Sequence, residues 1–295
     1  GRFVKADFDA LNAAKAPADD ARWFDLYVRA CQVRDCVSTY ASLNIEGLRR
    51  AIQDLSKSFP EKYAKGGDFT KRLDDFEKQM PELYAAMAKD PESVKKAVAD
   101  IAALRREALL ANPLLDFDRL LFVKRKDDAI GLPQNWQGNC AMSAKGYDNE
   151  IDVLSPVTPD GKTTTLYRPE GDAFVGDVDL NFDADKMLFS MPGSHDRWQI
   201  WEINADGSGL RQVTPGEEPD VDNYDACYLP DGRITFASTR CFQGIPCVGG
   251  SNTVANLCRM DSDGKNTRQL CFDQDHNWCP TVLNNGRVLY TRWEY

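Results

Sequence analysis

The chain has 295 residues, 42% hydrophobic and 28% charged, a globular composition long enough for two domains or one large one, which excludes a disordered chain and a collagen-like fibre. Acidic residues outnumber basic ones by 46 to 36, and the resulting net charge of −10 repels a nucleic-acid backbone while favouring cations and small or neutral partners. No apolar run is long enough to span a membrane, and the opening Gly1-Arg2-Phe3 lacks the regions of a signal peptide, which leaves room for one already removed.

The first part, 1–115, is rich in Ala, Lys, Leu and Glu and reads as an α-helical region. Asp19 or Asp20 can cap a helix whose apolar face includes Trp23, Tyr27, Ala30 and Cys31. Cys31 and Cys36, five positions apart, point about 140° away from each other on a regular helix, so they read as structural cysteines without an intrahelical disulfide. Two further helices, near 44–59 and 69–89, are separated by a turn at Lys65-Gly66-Gly67. The clearest helix starts with Asp90 as N-cap and Pro91 at the first helical position, and places Val94, Val98, Ile101, Leu104 and Ala108 on one stripe. It stops at Asn112-Pro113, because proline disfavours helix for the residue before it.

From Asp116 the pattern changes to short strands punctuated by Asp-Gly and Asn-Gly. The segments 178–190, 226–238 and 280–291 each read as strand, tight turn and strand, with turn residues Asp183, Asp231 and Asn285 spaced 48 and 54 positions apart. A second hairpin follows the first two, turning at Asp206-Gly207 and Asp263-Gly264, and an earlier one turns at Asp160-Gly161. Two hairpins per repeat make a four-stranded unit, the blade of a β-propeller, and such units must stack on neighbours to bury their faces. The expected fold is therefore α+β, mainly β: a helical region followed by a propeller over 116–295. About three and a half blades fit, fewer than the roughly four to eight of a closed propeller. The expectation is that the remaining blades come from a longer parent chain or from another chain.

In this arrangement the stretches 126–149, 191–197 and 239–255 emerge on one face, and the first and third are long enough to carry binding groups. Cys241 and Cys247 close a short loop that suits a disulfide, with a metal pair or free thiols as alternatives. Nine cysteines, an odd number, fit an oxidising compartment with some disulfides or thiols held for a metal. Asp177, Asp225 and Cys279 each lie six residues before a turn residue, so they occupy equivalent places on the innermost strands and converge on the central channel. With His276 they make a candidate mixed site for a borderline metal such as zinc. The other reading is that the acids hold backbone amides at the channel mouth. His195, beside Ser194 and Asp196, reads as a solvated loop residue, since catalytic triads are spatial rather than sequential. The acidic string 215–225 could offer oxygens to calcium but lacks the spacing of a calcium loop. There is no Gly-rich phosphate loop, Rossmann fingerprint, HExxH or GxSxG, and no Cys-x-x-Cys-His for covalent c-type haem.

The segments Trp201–Thr214 and Cys258–Gly264 resemble the repeats of TolB-type (PD40) propellers, a likeness specific for fold and silent on activity. Phe272–His276, Pro280–Tyr295 and Ser238–Cys241 more narrowly resemble the hydrazine synthase alpha subunit-like family, over roughly 116–295. That resemblance implies an exported, periplasmic or extracellular protein with a propeller inside a longer chain, c-type haem motifs after it and a zinc near one haem. It places the zinc-binding propeller cysteine on Cys279. Haem is thus implied for a longer parent only, and zinc or calcium for this chain. The expectation is part of an exported redox protein, an oxidoreductase component. The alternatives are a carbohydrate-active enzyme using aromatics such as Trp136, Tyr147 and Trp198, or a non-catalytic propeller that binds glycan or protein.

Overall fold

The computed structural model describes residues 2–87, 89–134, 137–245, 249–250 and 252–294. The chain forms two compact units, 1–117 and 118–295.

The first unit contains α1 (Lys5–Ala13), α2 (Ala21–Ser42), α3 (Ile45–Ser58), α4 (Gly66–Ala86) and α5 (Pro91–Leu110). Side-chain caps start three of them: the carboxylate of Asp20 accepts from the amide of Arg22, Asn44 from Gly47 and Asp90 from Ser93. The α5 stripe Val94, Val98, Ile101, Leu104 and Ala108 is buried, and it packs with Leu48 and Ile52 of α3 and Phe69, Leu73 and Phe76 of α4. Tyr63 is buried in this core, and its hydroxyl donates to the carbonyl of Ala108 at 2.8 Å, satisfying a carbonyl at the end of α5.

Two expectations need correction here. On α2 the buried residues are Leu26, Val33 and Cys36, whereas Tyr27 is 66% exposed: the stripe facing the core is rotated by about one residue, roughly 100°, from the one the aromatics suggested. Gly66 and Gly67 open α4 instead of forming a turn; a Cβ on Gly66 would meet the Ser56 hydroxyl at 2.1 Å, so close helix packing selects glycine there.

The second unit is built of antiparallel meanders in simple sequential order. Strands β1 (Leu120–Arg125), β2 (Asn149–Ser155) and β3 (Lys162–Tyr167) form a three-stranded sheet. Two four-stranded sheets follow: β4 (Gly176–Leu180), β5 (Lys186–Pro192), β6 (Trp198–Asn204) and β7 (Arg211–Gln212), then β8 (Asn223–Tyr228), β9 (Ile234–Ser238), β10 (Asn256–Met260) and β11 (Arg268–Gln269). The last sheet pairs β12 (Asn277–Val282) with β13 (Val288–Arg292). Each predicted hairpin is present. At the tight turns after β8 and β12, Gly232 and Gly286 hold φ of +82° and +78°, a conformation that costs glycine nothing, and Ala184 takes a similar place at +56° after β4.

Successive sheets bury their faces against one another. Ile151 of the first sheet packs with Met187, Phe189 and Ile203 of the second. Leu188, Ile200 and Val213 of the second pack with Ile234, Phe236, Cys258 and Met260 of the third. This is the stacking that a repeat too thin to form its own core requires. Buried amide side chains pin the connections between sheets. Asn149, at the start of β2, accepts from the amide of Val175 and donates to the carbonyl of Ala173, both at 2.8 Å. Asn256, at the equivalent start of β10, grips the backbone of Asp273 in the same two-sided way.

Replacing Asn149 with Ala strands a buried amide and a carbonyl, so Asn149→Ala is expected to destabilise the sheet unit by about 3 kcal/mol. Urea denaturation followed by tryptophan fluorescence measures this, and a loss below about 1 kcal/mol would show that the pin is dispensable.

Candidate functional site in the inner strands

The first strands of three successive sheets, β4, β8 and β12, carry the same local distortion. Asp177, Asp225 and Cys279 have left-handed backbones, with φ of +52°, +57° and +52°. In each case the ladder to the neighbouring strand slips at that residue: between Gly176 and Asp179, between Tyr224 and Cys227, and between Trp278 and Thr281. Such a bulge re-aims one side chain out of the alternating pattern of the strand. Aspartate tolerates this backbone because its short polar side chain bonds locally. Cysteine has no such compensation, so Cys279 is held there by its surroundings.

One hydrogen-bonded chain links the three positions. The amide of Cys279 donates to Oδ2 of Asp225. The amide of Asp225 donates to the hydroxyl of Ser190 at 2.8 Å, and that hydroxyl bonds to the Asp177 carboxylate. Nδ2 of Asn139, a buried residue from the long loop after β1, also donates to Asp177. Two residues further along β4, Oδ2 of Asp179 accepts from the amide of Tyr228 at 2.9 Å, a second tie to β8.

Three carboxyls thus stand close together, and among the described residues Arg125 is the cation that acts on Asp177. Its guanidinium donates to the carbonyls of Val175 at 2.7 Å and Ile130 at 2.6 Å and lies over the Phe174 ring at 4.2 Å. Burial is the largest influence on Asp177 and raises its pKa despite the hydrogen bonds and the pull of Arg125. Burial and then the charge of Asp177 push Asp225 up to about 7, so the pair retains a proton near neutrality. Partial burial of the thiol, followed by the charge of Asp225, pushes Cys279 up to about 12, which keeps it protonated at pH 7 although the residue as a whole reaches solvent.

The fourth residue of the expected set has other partners. His276 is fully buried, and its Nδ1 accepts the amide hydrogen of Ala255 at 3.0 Å. The neutral ring therefore carries its proton on Nε2, leaving neither nitrogen with a free lone pair for a metal. Trp278 and Trp293 flank the ring at 4.6 and 6.3 Å, and burial lowers its pKa to about 4. His276 reads from this geometry as an internal wedge just before β12. Among the described residues no three His, Cys, Asp or Glu side chains are placed as a ready-made metal cage.

The remaining candidates take ordinary structural positions. Trp198 is 3% exposed in the core, so it presents no stacking face to a sugar, and the half-buried Tyr147 packs edge-on against Phe174 at 5.2 Å. Trp136 and Cys247 lie outside the described residues; Cys241 directs its Sγ to the carbonyl of Val254 at 3.3 Å. The described cysteines are free thiols. His195 is exposed, Asp196 pairs with Lys145, and Ser194 pairs with Gln212, an arrangement unlike a triad. In the acidic string, Asp222 accepts from the amide of Trp198 at 3.1 Å and pairs with Arg197, so its oxygens serve the fold.

Comparison with known proteins adds the following. No family model matches the sequence, and no curated protein matches it. Among solved structures, a putative TolB from Agrobacterium tumefaciens is 18% identical, with a TM-score of 0.37, over 48% of this chain and 45% of that one. TolB from Acinetobacter baumannii is 18% identical, with a TM-score of 0.36, over 49% of this chain and 32% of that one. A puromycin-hydrolysing peptidase from Mycobacterium tuberculosis is 11% identical, with a TM-score of 0.35, over 50% of this chain and 23% of that one. The chain spans less than half the length of each of these three. No helix among the described residues is long and apolar enough to cross a membrane.

Sequence reasoning located the three bulge positions but missed Asp179, Ser190 and Asn139. Asp179 could have been found from its spacing of two from Asp177. Asn139 lies in a loop with no periodicity, so no local signal connects it to Asp177.

Two pH dependences follow, with opposite signs. The folded pKa of Asp225 lies above the ordinary carboxyl value of 3.8, so its contribution to stability is greatest in acid and is lost as pH rises from about 4 to 7. Asp225→Asn, which keeps the acceptor for the Cys279 amide, should stabilise the sheet unit at pH 8 by about 1–2 kcal/mol and flatten this limb, as read from urea midpoints between pH 4 and 8. The folded pKa of His276 lies below 6.5, so its contribution is present above that value and is lost as pH falls towards 4. In His276→Asn, whose amide oxygen can replace Nδ1 as acceptor, the same titration should lose its acid limb; an unchanged limb would assign it to other groups.

Proposed function

We propose that the sheet unit is a propeller-type scaffold whose inner-strand bulges bind a divalent cation of borderline softness, zinc before calcium, through Asp177, Asp225 and Cys279. The observation that carries this reading is the repeated left-handed bulge, which directs two carboxyls and a thiol from equivalent points of three successive inner strands. Carboxylate and thiolate together suit zinc, whereas calcium takes oxygen ligands alone. The donors fit a cation for a second reason: burial, and then the mutual repulsion of the two carboxyls, makes the acid pair keep a proton, and a metal ion would supply charge to offset both.

Loading the site exchanges existing bonds for metal bonds. The Asp225 carboxylate now holds the Cys279 amide, Asp177 now holds Asn139, and the exposed Cys279 side chain must surrender its proton. Metal uptake therefore competes with protons and strengthens as pH rises. His276 is left out of the ligand set because its Nδ1 is engaged with Ala255.

The wider setting that we infer is an exported redox protein of the hydrazine synthase alpha subunit-like kind. In that setting the remaining blades and the c-type haem belong to a longer parent, and a bound metal sits near the haem. This part rests on the likeness of Phe272–His276 and Pro280–Tyr295 to that family.

Isothermal titration of the metal-free chain with zinc tests the site. One equivalent is expected to bind, at least tenfold more weakly in Asp225→Asn and in Cys279→Ser, with affinity rising from pH 6 to 8 and with His276→Asn unaffected. Equal affinity in wild type and both ligand variants would refute the assignment. A Soret band in the natural full-length protein would support the redox setting, and its absence would leave a cation-binding scaffold.

A further inference from the structure

The helical unit contains a feature that the inner-strand site does not use. Between α2, α4 and α5 lies a cavity of about 210 Å³, walled by Tyr40 and Ala41 of α2, Phe76 and Met80 of α4, Met87 just beyond it, and Val98 of α5. It adjoins the main core but is not filled by it: Phe76, Met87 and Val98 are buried on its inner side, while Ala41 is exposed at its mouth. Pro81, next in sequence to the lining residue Met80, removes one backbone donor from α4.

Water gains little from such a space. A buried water needs two to four polar partners, and the wall here is made almost wholly of carbon and sulfur. An empty space also leaves the lining atoms without contacts on one side. Apolar cavities of about 150 Å³ stay dry and take up benzene, so this one has room for a ring with a short alkyl arm. The lining also discriminates. Met80 and Met87 supply polarisable sulfurs, and Tyr40 and Phe76, already packed on each other with ring centroids 6.2 Å apart, make an aromatic wall that a further ring can extend.

We propose that this cavity is a binding site for a small uncharged aromatic molecule, a single substituted ring with its edge against Phe76 and its faces against the two methionines. The site is distinct from the cation cluster and depends on none of its residues.

The probe is ethylbenzene, titrated into the full chain labelled with ¹³C at the methionine methyls. Of the six methionines, Met80 and Met87 lie at the cavity, and Met142, Met187, Met191 and Met260 belong to the sheet unit. The expected result is saturable movement of the Met80 and Met87 signals alone, weakened at least tenfold by Ala41→Phe, which fills the mouth. Movement of all six signals together, no movement, or unchanged binding in an Ala41→Phe chain of normal helix content would overturn the proposal. If Ala41→Phe loses helix content, Val37→Phe on the same wall is read by the same criteria.

Discussion

The sheet unit depends on one backbone device, the left-handed bulge in β4, β8 and β12, the first strands of its last three sheets. A regular strand would direct alternate side chains to the two faces of its own sheet, where they pack against the neighbouring sheets. The bulge diverts one side chain per repeat out of that pattern and frees the amide beside it. In β8 the diverted carboxylate of Asp225 receives the freed amide of Cys279 in β12, and its own amide is received by Ser190. Structure and chemistry are therefore inseparable here. The groups that tie one inner strand to the next are the groups a cation would use.

The electrostatics follow from that economy. Tying strands with carboxylates concentrates negative charge where the sheets approach one another, and the Arg125 guanidinium is drawn into the group. Its hydrogen bonds go to backbone carbonyls, and burial, with the repulsion between Asp177 and Asp225, makes the acid pair keep a proton. His276 shows the opposite response to burial. An imidazole with its Nδ1 committed to an amide and two indoles beside it is held neutral, which suits a wedge and not a ligand.

The helical unit obeys a different rule. Its helices are held by one apolar core in which the α5 stripe is the common wall, and its polar side chains act mainly as caps and surface ion pairs. Between α2, α4 and α5 the core leaves a cavity of about 210 Å³. Packing density, more than any polar group, marks that part of the molecule as receptive.

Much of this was legible in the sequence, for reasons that are local. Caps such as Asp90, the five-residue stripe of α5, and the Asp-Gly and Asn-Gly turns each act within a few residues, so periodicity and turn chemistry determined the helices, the hairpins and their repeat. The repeat also determined that Asp177, Asp225 and Cys279 are equivalent, because equal spacing from a turn means equal place on a strand. Only the tertiary structure decided what those positions do. Which face of α2 is buried depends on the rotation of a whole helix, and Tyr27 lost to Leu26 because packing partners, not hydrophobicity alone, set that rotation. The reach of Asn139 to Asp177, the commitment of His276 to Ala255 and the burial that holds a proton on Asp225 all join residues distant in sequence. Hydrogen bonds and desolvation of that kind exist only once the sheets have stacked.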